Sequence, residues 1–383
     1  MNPIRVLSVF GTRPEAIKMC PLALTLRERP EFESLVCVTA QHREMLDSVL
    51  KTFSLRPDYD LDLMEPRQTL STITAKVLTG LGAVLRTAKP DVVLVHGDTT
   101  TTFAAALAAF YEKLPVGHVE AGLRTYDRWS PYPEEMNRSL VGRIAEYHFA
   151  PTARNRENLE REAVQGKIFV TGNTVIDAMR YTVNDAPFAC DALNDPALAG
   201  RRLVAMTCHR RENYGAPMER IFAAVAALAA RFPDITVVYP VHLSPVVQDA
   251  ARKALGGIPN VLLTDPLDAM DMHKLLARST LVLTDSGGLQ EEAPALGRPV
   301  LVLRRETERP EAVEAGTVAL AGTETAPILR LATELLTDRS KYDAMAHAVN
   351  PYGDGRACER IADALAWGFG ARTEPPAEFV PAR

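Results

Sequence analysis

Ten short β-branched runs recur along the chain: Ile4–Phe10, Ser34–Thr39, Asp91–His96, Pro115–Val119, Ile168–Thr171, Leu203–Thr207, Ile235–Val241, Asn260–Thr264, Thr280–Thr284 and Pro299–Leu303. Most are separated by segments of helical length, and several are apolar throughout instead of alternating. Uninterrupted apolar strands bury both faces, so the alternation predicts an α/β protein with parallel sheets covered by helices on each side. Ten strands fit two sheets better than one. With 383 residues and domains of about 100–200 residues, two domains are expected.

The boundary falls near Val170-Thr-Gly-Asn-Thr174, where a strand ends in turn-forming residues and a polar, Pro-containing stretch follows before the strand at Arg202. This predicts Rossmann-like domains over 1–170 and 171–362. Both halves open alike, Arg5-Val-Leu-Ser-Val-Phe before Gly-Thr-Arg-Pro-Glu and Arg202-Leu-Val-Ala-Met-Thr before Cys-His-Arg-Arg-Glu. The last dozen residues, with Pro375, Pro376 and Pro381, read as a loose tail.

Charge and cysteine usage narrow the functional classes. A balance of 43 Lys and Arg against 48 Asp and Glu gives a net charge of −5, which argues against a general nucleic-acid surface but leaves room for a local anion pocket. The longest uncharged apolar stretch, Ile221–Ala230, is far shorter than the roughly 20 residues of a membrane span. Val6–Phe10 is too short for a signal-peptide core, so a cytoplasmic protein is expected. Five scattered cysteines without a CxxC suggest reduced core thiols instead of a disulfide framework or zinc site.

In open parallel sheets, ligands bind beyond the carboxyl ends of the strands, and the chemically versatile residues are concentrated there. Arg13, Glu15 and Lys18 follow the first run, Asp98 the third, and His118-Val-Glu120 closes the fourth. His209-Arg-Arg-Glu212 and Asp285-Ser-Gly-Gly-Leu-Gln-Glu-Glu292 follow runs in the second half. The Ser286-Gly287-Gly288 turn opens a helix, so its N–H groups and the helix dipole suit a phosphate or diphosphate, with Glu291 and Glu292 in reach of ribose hydroxyls. A plain capped helix gives the same pattern. Asp98 reads either as an N-cap or as a site acid. Glu120, at the end of an apolar strand, suits acid–base work if burial raises its pKa. Glu134 and Glu135 are first-turn acids or site acids, and His209 with Arg210 and Arg211 offers a proton donor and cations for a leaving phosphate.

Two patterns carry no such chemistry, and a third is absent. Gly80-Leu-Gly82 lacks the third glycine of a dinucleotide fingerprint and sits in a helical pattern. Asp58, Asp60 and Asp62 alternate as on the wet face of an edge strand. No Tyr-x-x-x-Lys occurs, which counts against a short-chain, NAD-dependent sugar epimerase.

Assembled in order, nine segments make the chain resemble the non-hydrolysing UDP-N-acetylglucosamine 2-epimerases: Gly11-Thr-Arg-Pro-Glu-Ala-Ile-Lys-Met19, Gln41-His-Arg43, His96-Gly-Asp-Thr-Thr100, His118-Val-Glu-Ala-Gly-Leu-Arg-Thr125, Pro133-Glu-Glu-Met-Asn-Arg138, His209-Arg-Arg-Glu-Asn213, Thr284-Asp-Ser-Gly-Gly-Leu-Gln-Glu-Glu-Ala-Pro294, Thr307-Glu-Arg-Pro-Glu-Ala312 and Pro351-Tyr-Gly-Asp-Gly355. The resemblance implies a glycosyltransferase-B-like fold with its site in a central cleft, a homodimer, and a C-terminal helix and tail, 363–383, crossing back onto the first domain. It implies interconversion of UDP-N-acetylglucosamine and UDP-N-acetylmannosamine through elimination of UDP to 2-acetamidoglucal and re-addition, supplying N-acetylmannosamine for surface polysaccharide, with neither metal nor nicotinamide needed.

The same resemblance assigns Asp98, Glu120, Glu134 and His209 to catalysis. It assigns Arg13, Lys18, Ser286, Gly287, Gly288 and Glu292 to UDP and sugar. A second, allosteric substrate site is implied at Gln41, Arg67, Glu134, Arg210 and His242, with Glu44 where many relatives carry Gln. A hydrolysing relative, a glycosyltransferase of the same fold and a catalytically silent nucleotide-sugar sensor are the other readings. A sensor has no need of Asp98, Glu120, Glu134 and His209 together.

Overall fold

The computed structural model describes residues 2–39, 43–63, 65 and 68–381, without the side chains of 43–45. The first sheet contains β1 (Ile4–Phe10), β2 (Phe32–Val38), β3 (Tyr59–Asp60), β4 (Val92–His96), β5 (Val116–Val119), β6 (Tyr147–Ala150) and β7 (Lys167–Val170). The second contains β8 (Arg202–Thr207), β9 (Ile235–Pro240), β10 (Val261–Thr264), β11 (Ser279–Thr284), β12 (Val300–Val302) and β13 (Val318–Leu320). Their orders are β3-β2-β1-β4-β5-β6-β7 and β10-β9-β8-β11-β12-β13. Every strand pair is parallel.

In both sheets the chain steps outward from its first strand and then returns to the other side of it. A topological switch point therefore lies between β1 and β4 and again between β8 and β11. The two Rossmann-like parallel sheets expected from the sequence are present, and the likeness of the two opening segments extends to the strand order. All ten expected runs contain strands. β3, β6 and β13 were not among them, because two to four residues hold too little periodic pattern to stand out.

Burial on both faces explains the unbroken apolar runs. All residues of β4 and of β9 are buried. The helix Thr100–Tyr111 buries Ala104, Ala105, Ala108 and Ala109 in the core that also holds Leu7, Val9, Val93 and Val95. In the second sheet's core, the helix Ala216–Arg231 supplies Phe222, Val225 and Leu228. Among the described residues no helix is long and apolar enough to cross a membrane. The cysteines are free and, Cys190 apart, buried; burial pushes the Cys37 thiol up to about 12.

The chain divides into Met1–Tyr181 with Tyr352–Val380, and Thr182–Pro351 with Pro381–Arg383. The division thus follows Tyr181 instead of residue 170, and the return begins at Tyr352 instead of 363. Hydrogen bonds explain the difference. Asn173 N donates to Tyr352 O at 2.7 Å, and the buried Asp177 carboxylate accepts from Ala357 N and Cys358 N at 3.1 and 2.9 Å. Both ties join the helix Thr174–Thr182 to the returning helix Ala357–Gly368.

The closing segment is docked, not loose. Phe379 is buried, and its N–H meets Val170 O on the edge strand β7 at 2.8 Å. Glu378 pairs with Arg156, and Arg360 lies over the Phe379 ring. Proline content signalled an irregular backbone here, but one aromatic anchor and an uncovered strand edge hold it down.

Gly172 marks a close backbone crossing. It has φ 85°, and a Cβ there would stand 3.2 Å from Gly353 Cα and 3.4 Å from Tyr352 O. Gly172→Ala is expected to destabilise the first unit by about 1–3 kcal/mol, from the left-handed backbone and the crowding together. A urea midpoint equal to wild type would show that the return segment simply moves aside.

Candidate active site

At the first switch point, the turn after β1 carries Thr12 as N-cap and Glu15 as its capping-box partner. Glu15 does more than cap. It is buried, accepts from Gly11 N and Thr12 N at 3.0 and 2.7 Å, and receives Thr99 Oγ1 and Thr102 Oγ1 at 2.6 and 3.0 Å. This one carboxylate ties the β1 turn to the β4 turn, so it is committed to structure.

Thr99, not Asp98, caps the helix after β4, its side chain accepting from Thr102 N. The N-cap reading of Asp98 therefore does not hold, because the residue one place later takes that role. Asp98 is instead ion-paired with Arg138, while Asn137 Nδ2 donates to its carbonyl at 2.9 Å. Arg138 also meets Glu135 at 3.2 Å.

Glu120 leaves β5 with φ 62°, a backbone that non-glycine residues adopt only when surroundings hold it. Lys18 pairs with its Oε2, Asn173 Nδ2 donates to the same oxygen at 2.9 Å, and His96 Nε2 lies 3.7 Å away. Glu120 is thus an ion-paired carboxylate, and the pairing with Lys18 opposes the upward pull that burial at the end of an apolar strand would exert on its pKa. Asn173 and His96 were absent from the sequence-derived set. The Thr-Gly-Asn turn after β7, read from the sequence only as a domain boundary, is the signal that would have found Asn173.

The structure also separates the two acids that open the helix Glu134–Ile144. Glu135 is buried and accepts from Thr125 N and Tyr126 N at 3.1 and 2.9 Å. Glu134 is half-buried, and among the described residues neither its side chain nor that of Arg13 has a hydrogen-bond partner.

Three buried histidines sit on β4, β5 and β6. His96, His118 and His148 are all held below the ordinary imidazole range, foremost by burial, His118 at about 3. His118 Nε2 lies 2.7 Å from Gly97 O and so braces the turn that carries Asp98. Their unfolded counterparts bind protons from about pH 6.5 downward while the folded rings stay neutral. Their stability contribution is therefore complete above that pH and is lost as pH falls towards 3. Urea midpoints should decline from pH 7 to 4, and His118→Asn should flatten the slope; an unchanged slope would sink this assignment.

In the second unit, Asp285 holds the loop that follows β8. Fully buried, its Oδ2 accepts from His209 N, Arg210 N and Asn213 Nδ2 at 2.7, 2.8 and 3.0 Å. His209 Nδ1 lies 3.5 Å from Oδ1, and its ring stacks on His242 at 5.5 Å between centroids. Burial is the main force holding the His209 pKa below the usual range, against the pull of Asp285. That direction disfavours the charged ring, so positive charge beside this turn is the part of arginine.

Two guanidinium groups supply it. A Cβ built on Gly287 would stand 3.7 Å from Arg210 Nη2 and 3.9 Å from Arg309 Nη2. Ser286 N is taken by Thr284 Oγ1 at 2.9 Å, whereas Gly287 and Gly288 donate their N–H groups to no other described residue. The helix Leu289–Ala295 has only seven residues, so its dipole adds little, and an anion at this turn would depend on two N–H groups and two arginines. Glu291 is buried and ion-paired with Arg309, which removes it from the ribose-binding candidates. Arg309 lies in a recognised motif but had no assigned role. Glu292 is mostly buried beside His273. Of the expected second site, Arg210, His242 and Glu134 are described, while Gln41, Arg67 and the Glu44 side chain lie outside the described residues.

Two doubly wound parallel sheets, one ending in paired acids and cations and the other in an arginine-flanked glycine turn, define a two-unit Rossmann-type protein. The family model described as UDP-N-acetylglucosamine 2-epimerase matches residues 24–366. The UDP-N-acetylglucosamine 2-epimerase of Bacillus subtilis strain 168 is 53% identical over 381 residues, covering 99% of this chain and 100% of the relative. A crystal structure of a UDP-N-acetylglucosamine 2-epimerase superposes with TM-score 0.92 at 52% identity over 99% of this chain and 100% of that one. The Neisseria meningitidis UDP-GlcNAc 2-epimerase bound to UDP-GlcNAc gives 0.82 at 47% identity, covering 94% and 99%. The chain belongs to the UDP-N-acetylglucosamine 2-epimerase family.

Proposed function

We propose that the protein interconverts UDP-N-acetylglucosamine and UDP-N-acetylmannosamine without net hydrolysis. The observation that carries this reading is the pairing of Glu120 with Lys18 and Asn173, and of Asp98 with Arg138. These are acids held at strand ends for work on a sugar, in a chain whose Neisseria relative was solved with UDP-GlcNAc.

A carboxylate of the first unit, Asp98, Glu120 or Glu134, takes the C2 proton. The C2–H electron pair forms the C1=C2 bond of 2-acetamidoglucal, and the C1–O bond breaks with its electrons leaving on the β-phosphate of UDP. Re-addition returns the diphosphate oxygen to C1 and a proton to the other face of C2. The steps balance with no outside oxidant or reductant. Gly287, Gly288, Arg210 and Arg309 offset the charge of departing UDP, His209 donates a hydrogen bond, and Arg13 and Lys18 are assigned to UDP and sugar. Glu292 takes the ribose hydroxyls. Homodimerisation, substrate activation through Gln41, Arg67, Glu134, Arg210 and His242, a cytoplasmic setting and N-acetylmannosamine supply for surface polysaccharide belong to the same reading.

The test is proton NMR of the purified chain with UDP-N-acetylglucosamine in deuterated water. UDP-N-acetylmannosamine carrying deuterium at C2 is the expected product. Irreversible accumulation of UDP and free N-acetylmannosamine would replace this reading with the hydrolysing one, and no turnover despite UDP binding would replace it with a sensor.

A further inference from the structure

Thr182, where the second unit begins, is 1% exposed and places Oγ1 2.8 Å from Nδ1 of His273. His273 is itself 2% exposed, on the helix Ala269–Arg278. Its other nitrogen, Nε2, lies 3.3 Å from Glu292 Oε2. The remaining Glu292 oxygen, Oε1, borders the glycine turn: a Cβ on Gly288 would come within 3.1 Å of it. One carboxylate is thus set between a buried imidazole and the turn that faces the two arginines.

The proton on the ring follows from these neighbours. A carboxylate only accepts, so Nε2 must carry hydrogen towards Glu292. Nδ1 then accepts a hydrogen bond from the Thr182 hydroxyl in the neutral ring, or donates one to Thr182 Oγ1 in the charged one. In either state Thr182 sets the ring plane and the ring restrains the carboxylate. The helix that carries His273 is anchored in turn, by the Asp268 cap at its start and by Asp271, which accepts from Ala189 N and Cys190 N at 3.1 and 2.8 Å.

We infer that His273 is a specificity-determining positioning residue, which aligns Glu292 so that the site distinguishes a ribonucleoside diphosphate from its 2′-deoxy counterpart. The inference rests on the assignment of Glu292 to the ribose hydroxyls. A vicinal diol presents two donors, and a carboxylate held at a fixed angle accepts both. Loss of the 2′-hydroxyl leaves one oxygen of a desolvated carboxylate without its donor, a heavier penalty than the mean worth of a hydrogen bond. A carboxylate free to turn towards water loses this discrimination.

The experiment is calorimetric titration of the full chain with UDP and with 2′-deoxy-UDP, beside thermal melts. Wild type is expected to favour UDP by about 10- to 100-fold, the range of one hydrogen bond to a charged group. His273→Phe keeps the ring volume without the donor. It should weaken UDP alone and bring the two affinities within about threefold of each other, leaving 2′-deoxy-UDP nearly unchanged. His273→Gln restores a donor and should recover part of the preference, and it carries the test if the phenylalanine variant does not fold. An unchanged preference in both variants overturns the inference, as does an equal loss for both ligands, which a merely structural histidine would produce. A wild type indifferent to the 2′-hydroxyl overturns it together with the ribose assignment of Glu292, while deuterium incorporation at C2 reports on the epimerase reading separately.

Discussion

Glu120→Gln is expected to lower deuterium incorporation at C2 by about 10²- to 10⁴-fold, the usual worth of one positioned proton-transfer group, while UDP affinity stays near wild type. Gln keeps the length of the side chain and an oxygen for Asn173 Nδ2, but neither form of the amide takes a proton from carbon. The partners of Glu120 sharpen the test. Lys18 and Asn173 share Oε2, and the residue holds a left-handed backbone at the end of β5. Lys18, released from its pair, retains some solvent contact, so the variant should melt only modestly below wild type. UDP affinity is the control, because the arginine-flanked turn at Gly287 belongs to the other unit. Near-normal exchange would move the proton-transfer role to Asp98 or Glu134, and Asp98→Asn and Glu134→Gln measured in parallel would show which.

Asp285→Ala should destabilise the second unit by about 3–5 kcal/mol, the cost of removing one partner from a buried charged network, and should remove measurable UDP binding. The carboxylate is fully buried and accepts the backbone N–H groups of His209 and Arg210 and the Asn213 amide. Alanine leaves three donors facing a void. The loop 209–213 then loses the bonds that place Arg210 beside Gly287, so stability and ligand affinity fall together. Asp285→Asn keeps the shape and one acceptor oxygen and should lose less of both. Urea unfolding with UDP calorimetry measures the pair; full UDP affinity in a folded alanine variant would show that Arg210 is placed by other contacts.

These effects are large because Asp285 and Glu120 stand at strand ends, and that much was legible in the sequence. Unbroken apolar runs announce strands covered on both faces. The residue after such a run is the first that can be polar without being buried in the core, so Asp98, Glu120, His209 and the Ser286-Gly-Gly turn stood out. Local chemistry misled where neighbours compete for the same task. Thr99 and Asp98 are both good caps, and only the helix geometry assigns the cap to Thr99. Glu134 and Glu135 are adjacent acids, and only the packing of the Thr125–Tyr126 loop turns Glu135 inward. The closing segment looked loose because proline content reports on backbone pairing but not on whether Phe379 finds a place to bury.

Periodicity, turn residues and their order thus determined two parallel sheets and the strand ends where the candidate site residues gather, since each is encoded within a few residues. Which charges meet was settled by folding alone. Lys18 reaches Glu120 across 102 positions, Arg138 reaches Asp98 across 40, and Thr182 reaches His273 across 91. Such pairs depend on which strands lie side by side at a switch point. That order follows from burying whole helices and sheets against one another, a cooperative outcome that no short segment carries.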